Sequence, residues 1–230
     1  MIELFPEGFE EIERPDGVEL AAYTDAQGEE RLWHTFGGVS AADVADGWED
    51  RWRTFHRPVH VGRLWVGPPW ERPDPGLLAV VVDPGRAFGT GAHPTTRLCL
   101  ELLQRLEPRP LLDVGSGSGV LSIAAALLGF APVLAVDTEP AALEATENNA
   151  RENGVDVTAR LVAPDEHLPD TAVVVANISV EAVRQLPARV RGDEVVTSGY
   201  LAGHQLRFEG YELVERAVAD GWAADLHRRA

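Results

Sequence analysis

The chain is predicted to be α/β: a mostly parallel, Rossmann-like sheet flanked by helices, with an antiparallel hairpin near the C-terminus. Three observations predict this. From Leu77 onward, short apolar runs alternate with helical patterns, as parallel strands joined by crossover helices require. Alternating glycines, Asp113-Val-Gly115-Ser-Gly117-Ser-Gly119, stand where an apolar strand gives way to a helix. Asp220-Gly221 separates two strand-like runs, a strong hairpin signal.

Taken in order, residues 1–47 differ from the rest. Leu20–Asp25 and Glu30–Phe36 read as two short strands joined by a turn containing Gly28. Two strands alone are marginal in water, so this piece must pack on something or pair with another chain. Residues 40–56 read as a helix, with Ser40 as N-cap and Val44, Trp48, Trp52 and Phe55 at helical spacing. Residues 57–76 have the Pro/Gly composition of a connector, with one strand at Gly62–Val66. The organisation expected is a recognition region at 1–47, a linker helix and connector at 48–76, and an α/β domain at 77–230.

Within that domain, Leu78–Val82 is a strand and Pro94–Leu106 a helix with Leu98, Leu102 and Leu106 on one stripe. A strand at 111–114 is followed by a helix at 120–128, a strand at 133–136 ended by Asp137, and a helix at 140–153. That last helix has Pro140 in its first turn and Gly154 past its end. Strands at 157–162 and 172–176, a helix at 180–190 and a strand at 195–198 come next. The runs 212–219 and 222–227 form the hairpin.

Composition bounds the function. Of the 230 residues 45% are hydrophobic, enough for a sizeable core. No apolar run reaches transmembrane length, and the opening residues lack the basic start of a signal peptide, so a cytoplasmic protein with no membrane partner is expected. The single cysteine, Cys99, leaves no internal disulfide framework, and no metal-ligand set accompanies it. The net charge of −17 disfavours direct binding to nucleic acid. It would attract a basic partner or a cationic substrate side chain, or serve only as a solubility charge.

The glycine spacing separates two ligand classes. A dinucleotide fingerprint has glycine at its first, third and sixth positions. Here the sixth position is Val120 and glycine falls on the fifth, Gly119, so no pyrophosphate seat is built. Gly115 and Gly117 instead suit the amino-acid end of S-adenosylmethionine, or else form a plain turn. Asp137 ends the next strand, 22 residues after Gly115, where a carboxylate can accept hydrogen bonds from both ribose hydroxyls. Its alternative role is to cap the helix at Pro140, which Glu139 could share. Asn177 ends the strand Val173-Val-Val-Ala-Asn177, and its amide oxygen could accept a hydrogen bond from a substrate amine. Otherwise Asn177, or Ser179, caps the helix that follows.

Asp83-Pro-Gly-Arg-Ala-Phe88-Gly-Thr90-Gly-Ala-His93-Pro-Thr-Thr96 resembles the signature of the bacterial methyltransferases acting on ribosomal protein number eleven of the large subunit. The order Trp48-x-x-x-Trp52, Phe55-His56-Arg57-Pro58, Leu64–Trp70, the glycine loop, Val136-Asp137, Ala176-Asn177-Ile178 and Ser198-Gly199 is similar to theirs, over roughly residues 48–228. The resemblance implies a seven-stranded class I methyltransferase domain that uses S-adenosylmethionine to N-methylate lysine side chains and the N-terminal amine of that ribosomal protein. It implies cofactor contacts at Thr96, Gly115, Gly117, Asp137 and Asn177, with Asn177 also at the chemistry. Phe88 and Thr90 would also contact the cofactor, with Gly89-Thr90-Gly91 lying over it and Phe88 lining the pocket, and His93 would hold that loop in shape. A monomer is expected.

The family pattern includes a larger N-terminal recognition domain than residues 1–47 supply. Either that region is reduced, or Met1 is internal to a longer product; the open edge and apolar face of the remaining strands favour the second. Trp48, Trp52, Trp65 and Trp70 read more simply as a seam between linker helix and catalytic domain than as a substrate channel or an ammonium cage. Competing functions are methylation of another protein lysine or a small amine, a nicotinamide-dependent oxidoreductase (disfavoured by Val120), and a non-catalytic binding module. Nucleobase methylation is disfavoured because Asn177-Ile-Ser-Val lacks the Asn-Pro-Pro-aromatic pattern.

Overall fold

A computed structural model of the chain describes residues 10–14, 17–21, 32, 33, 35, 36, 39, 56–83 and 91–230. Two compact units divide it, residues 1–52 and 53–230.

In the first unit, β1 (Glu10–Arg14) and β2 (Gly17–Ala21) form an antiparallel pair with Glu10 opposite Ala21 and Arg14 opposite Gly17. The strand expected at 20–25 overlaps β2 at Leu20 and Ala21, and 22–25 lie outside the described residues; the strand expected at 30–36 is corrected, because Leu32, Trp33, Thr35 and Phe36 are helical. β1 carries one apolar side chain, Ile12, so no alternation announces it. The linker helix expected at 40–56, with Trp48 and Trp52, lies outside the described residues except for His56.

The second unit opens with a three-stranded sheet of β3 (Val59–Val61), β4 (Leu64–Gly67) and β5 (Leu78–Val81), in which β4 is central. The single strand expected at 62–66 is therefore two strands joined at Gly62-Arg63, where Gly62 has φ +57°. Trp65 on β4 is buried.

The main sheet has seven strands: β6 (Leu111–Val114), β7 (Val133–Asp137), β8 (Thr158–Leu161), β9 (Val173–Asn177), β10 (Glu194–Leu201), β11 (Tyr211–Ala219) and β12 (Trp222–Arg229). Their spatial order is β11-β12-β10-β9-β6-β7-β8. Pairings from β10 to β8 are parallel, while β12 runs antiparallel to both β10 and β11. The expected seven-stranded, mostly parallel sheet with a C-terminal antiparallel hairpin is thus the fold. Asp220 (φ +51°) and Gly221 (φ +78°) make the turn of that hairpin, both positive as a type I′ turn demands.

Four helices connect these strands: α1 (Pro94–Leu103), α2 (Val120–Leu127), α3 (Pro140–Glu152) and α4 (Val180–Gln185). Alternation along the strands divides the core. Val173 and Val175 pack with α1 and α2 residues such as Leu98, Leu102 and Ile123. Val174 and Ala176 pack on the other face with Val183 and Leu186. A strand apolar on both sides has to be covered twice, which is why β9 reads as an unbroken apolar run.

Two helices are shorter than expected. α1 ends at Leu103, and Arg105 and Leu106 instead bond three residues back, to Leu102 and Leu103. α4 gives way to a 3-10 turn at Leu186–Ala188, since Pro187 has no N–H to continue the α pattern. On β10, Gly199 has φ +101° at the register shift between Ser198 and Tyr200, and a Cβ there would overlap the Ile178 carbonyl. Only glycine lets β10 pass that close to the turn after β9.

Among the described residues, no helix is long and apolar enough to cross a membrane.

Candidate active site

Strand order reverses between β6 and β9: the chain moves outward from β6 to β7 and β8, then returns to β9 on the other side. The loops leaving β6 and β9 therefore diverge and leave a crevice at the carboxyl ends of the strands, where open α/β sheets bind ligands. A cavity of about 300 Å³ lies there, lined by Thr96, Gly115–Gly117, Val120, Leu121, Asp137, Thr138 and Asn177–Ser179. Five predicted residues, Thr96, Gly115, Gly117, Asp137 and Asn177, meet in this one cleft. Phe88 and Thr90 lie outside the described residues.

The glycine loop forms one wall. Gly115 has φ +78°, and a Cβ on it would overlap Cγ2 of Ile178 across the crevice. The two loops are therefore spaced for glycine, and the N–H groups of the glycine loop are committed within the chain: Gly115 and Ser116 donate to the Val136 carbonyl, Gly117 to Asp137 and Gly119 to the Ser116 carbonyl. Beneath the loop, Asp113 is 1% exposed. Its Oδ2 accepts a 2.6 Å hydrogen bond from the Ser122 hydroxyl on α2, while Oδ1 is buried with no partner among the described residues. Burial pushes this carboxyl up to about 7; the Ser122 bond opposes the rise and the Asp137 charge adds to it.

Asp137, at the tip of β7, already has work in the ligand-free chain. Oδ2 accepts from the Gly117 N–H at 3.0 Å and Oδ1 from the Glu139 N–H at 3.1 Å. It therefore holds the backbone just before α3 without capping that helix, and it also pins the glycine loop. Glu139 is the N-cap residue but makes no side-chain cap bond. A carboxylate has about four lone-pair positions, so two remain for a ligand diol.

Asn177 does not cap α4. Ser179 does, accepting from the Ala182 N–H at 3.4 Å. The Asn177 amide instead donates from Nδ2 to Thr96 Oγ1 at 3.1 Å, tying β9 to the first turn of α1. This leaves the carbonyl oxygen as the acceptor. His93 is the N-cap of α1: its Nδ1 accepts from the Thr95 N–H and lies 2.8 Å from Thr95 Oγ1, and its ring meets Trp222 edge-on at 4.8 Å. Burial lowers its pKa, helped by Arg97, which keeps it neutral and suited to accepting. Its place here is at the start of α1; residues 89 and 90 of the loop it was expected to hold lie outside the described residues.

Ile178, Thr138, Ser116 and Leu121 line the cleft without having been singled out. Ile178, Thr138 and Ser116 each neighbour a predicted residue, so the spacing that located Gly115, Asp137 and Asn177 also brackets them, whereas Leu121 reaches the cleft from the first turn of α2. Among the described residues the cleft carries one titratable side chain, Asp137, with hydroxyls and an amide around it. Such a lining can orient a polar, diol-bearing ligand.

The family described as Ribosomal protein L11 methyltransferase (PrmA) matches residues 18–227. Among curated relatives, the ribosomal protein L11 methyltransferase of Citrifermentans bemidjiense is 44% identical over 198 residues, covering 76% of this chain and 65% of the relative. That of Azotobacter vinelandii is 42% identical over 191 residues, again covering 76% and 65%. The chain therefore spans less than two thirds of the length of these curated relatives. The crystal structure of a ribosomal protein L11 methylase from Lactobacillus delbrueckii subsp. bulgaricus superposes with a TM-score of 0.69 at 28% identity, covering 76% of this chain and 99% of that one. With a family match running from Val18 to His227 and a cleft assembled from the signature positions, the chain belongs to the ribosomal protein L11 methyltransferase (PrmA) family.

Proposed function

We propose that this chain transfers methyl groups from S-adenosylmethionine to amines of ribosomal protein L11, on lysine side chains, the N-terminus or both. One observation carries the reading: Thr96, the glycine loop, Asp137 and Asn177 converge on a single cleft at the switch point of the sheet, in a member of this family. The donor set suits the cofactor. Asp137 offers a carboxylate to the ribose hydroxyls, and Gly115 leaves a cradle that any side chain would fill.

S-adenosylmethionine supplies an electrophilic sulfonium methyl. The chain's part is positioning. Holding the amine nitrogen in line can account for roughly 7–11 kcal/mol of the barrier. The Asn177 carbonyl oxygen accepts an N–H of the incoming amine and turns its lone pair toward the methyl, while Thr96 holds the Asn177 amide in place. An amide suits this role because it neither titrates nor competes as a nucleophile. A lysine must first lose its proton from a pKa of about 10.4. Among the described lining residues Asp137 alone is ionisable, and it is committed to two backbone N–H groups, which fits proton loss to water.

Residues 1–47 are assigned to substrate recognition, 48–76 to the connection and 77–230 to methyl transfer. The protein works in the cytoplasm as a monomer, and its net charge of −17 favours a basic protein substrate over direct contact with nucleic acid. The test is labelled-methyl transfer to L11, free and ribosome-assembled, with products mapped by mass spectrometry. Methylated lysine or N-terminal amine supports the reading. Cofactor binding with transfer only to another amine would move the substrate elsewhere, and absence of cofactor binding would overturn the reading.

A further inference from the structure

Helix α3 presents three polar side chains inward, Thr146, Asn149 and Asn153, at the spacing of one helical face. Thr146 is fully buried, and its hydroxyl lies 3.0 Å from Ser116 Oγ and 3.1 Å from the Gly117 carbonyl. Asn153 holds β5: its Oδ1 accepts from the Val81 N–H at 2.8 Å and its Nδ2 donates to the Val81 carbonyl at 2.6 Å. Asn149, 6% exposed, stands between them and serves both sides. Its Nδ2 donates to the Ser118 carbonyl of the glycine loop at 2.9 Å, and its Oδ1 accepts from the Asp83 N–H at 3.1 Å. Asp83 follows β5 and begins the sequence Asp83–Thr96 that marks the family. One amide thus joins the cofactor cradle to the root of the signature segment.

Asn153 spends its amide on β5 and on its own helix. Asn149 instead spends its donor and its acceptor on two backbone segments 35 positions apart in sequence, Asp83 and Ser118. Any shift of the glycine loop on ligand entry therefore reaches Asp83 through one rigid planar group, and by linkage the reverse holds.

We infer that Asn149 is a positioning residue that couples occupancy of the cofactor cleft to the backbone at Asp83. The inference rests on the reading of the glycine loop as the cofactor cradle. Its test is amide hydrogen exchange at Val81 and Asp83, with and without S-adenosylhomocysteine, alongside the ligand's Kd by calorimetry. In the wild-type chain, ligand slows exchange at Asp83. Asn149→Ala speeds exchange at Asp83, abolishes its response to ligand and weakens binding about tenfold, the loss expected from one buried hydrogen bond. Asn149→Asp keeps the acceptor for the Asp83 N–H but sets a carboxylate oxygen against the Ser118 carbonyl. Exchange at Asp83 then stays slow without ligand, yet no longer responds to it. Asn153→Ala speeds exchange at Val81 and leaves the ligand response at Asp83 intact, which separates coupling from general loosening. Wild-type binding with an unchanged Asp83 response in Asn149→Ala, or equal loss of that response in Asn153→Ala, would overturn the inference. A wild-type chain that does not bind S-adenosylhomocysteine would overturn the cofactor reading and the inference with it.

Discussion

Replacing Asp137 by alanine removes the one charged group among the described residues of the cleft, and its effect can be worked from the geometry. In the free chain the carboxylate accepts two backbone N–H bonds, from Gly117 at 3.0 Å and Glu139 at 3.1 Å. A ribose diol would add two bonds to a charged acceptor, at about 1.5 kcal/mol each as a lower figure. Together these come to about 3 kcal/mol, or roughly a hundredfold in Kd. The loosened Gly117 acts in the same direction. Isothermal titration with S-adenosylhomocysteine should therefore show Kd raised about 100-fold for Asp137→Ala and about 10-fold for Asp137→Asn, which keeps one acceptor oxygen. Turnover at saturating cofactor should change only a few-fold, because the carboxylate touches the ribose and not the reacting atoms. Thermal unfolding should show a loss of about 1–2 kcal/mol from the two backbone bonds. An unaltered Kd with a native fold would refute the ribose role. A fall in turnover at full saturation would place Asp137 in the chemistry instead.

Asn177→Ala should lower turnover by about 10- to 100-fold while shifting cofactor Kd by less, read from single-turnover methyl transfer beside calorimetry; unchanged turnover would remove Asn177 from the reaction. Gly115→Ala should destabilise the fold by about 1–3 kcal/mol and abolish cofactor binding, because φ +78° is strained for alanine and its Cβ meets Ile178. Ile178→Ala in the same chain should relieve the overlap but not the strain, and equal melting of single and double variants would show that the overlap is not felt. For Asp113, burial raises the carboxyl to about 7, so the folded chain holds this proton more tightly than the unfolded one does. Stability from this group is therefore full below about pH 4 and falls as pH rises toward 7, by on the order of 4 kcal/mol. Urea unfolding across that window should show a downward slope in the wild type that Asp113→Asn flattens; parallel slopes would refute the buried-acid reading.

What could be read in advance depended on whether a residue's role is set by its own neighbours in sequence. β9 was legible because Val173-Val-Val-Ala carries its burial on both faces within itself. The β11–β12 hairpin was legible because Asp220-Gly221 can adopt two positive φ values that few other pairs tolerate. Gly115, Asp137 and Asn177 were legible because each ends a recognisable strand, and in a parallel sheet the strand ends share one side of the molecule. The β1–β2 pair was misplaced for the converse reason. Glu10-Glu11-Ile12-Glu13-Arg14 has one apolar side chain, and its strand conformation comes from the partner it bonds to, which no local pattern announces. Thr146, Asn149 and Asn153 were missed by the same logic. On a helix such residues read as a solvated face, and here that face is turned toward the glycine loop and β5. Their partners are backbone atoms that sequence position does not relate to them, and only the packing of α3 across two segments brings donor and acceptor together. Gly115, Asp137 and Asn177 were therefore readable from strand ends and Thr96 only from the family signature, whereas the groups that hold those positions in register became visible only with the topology.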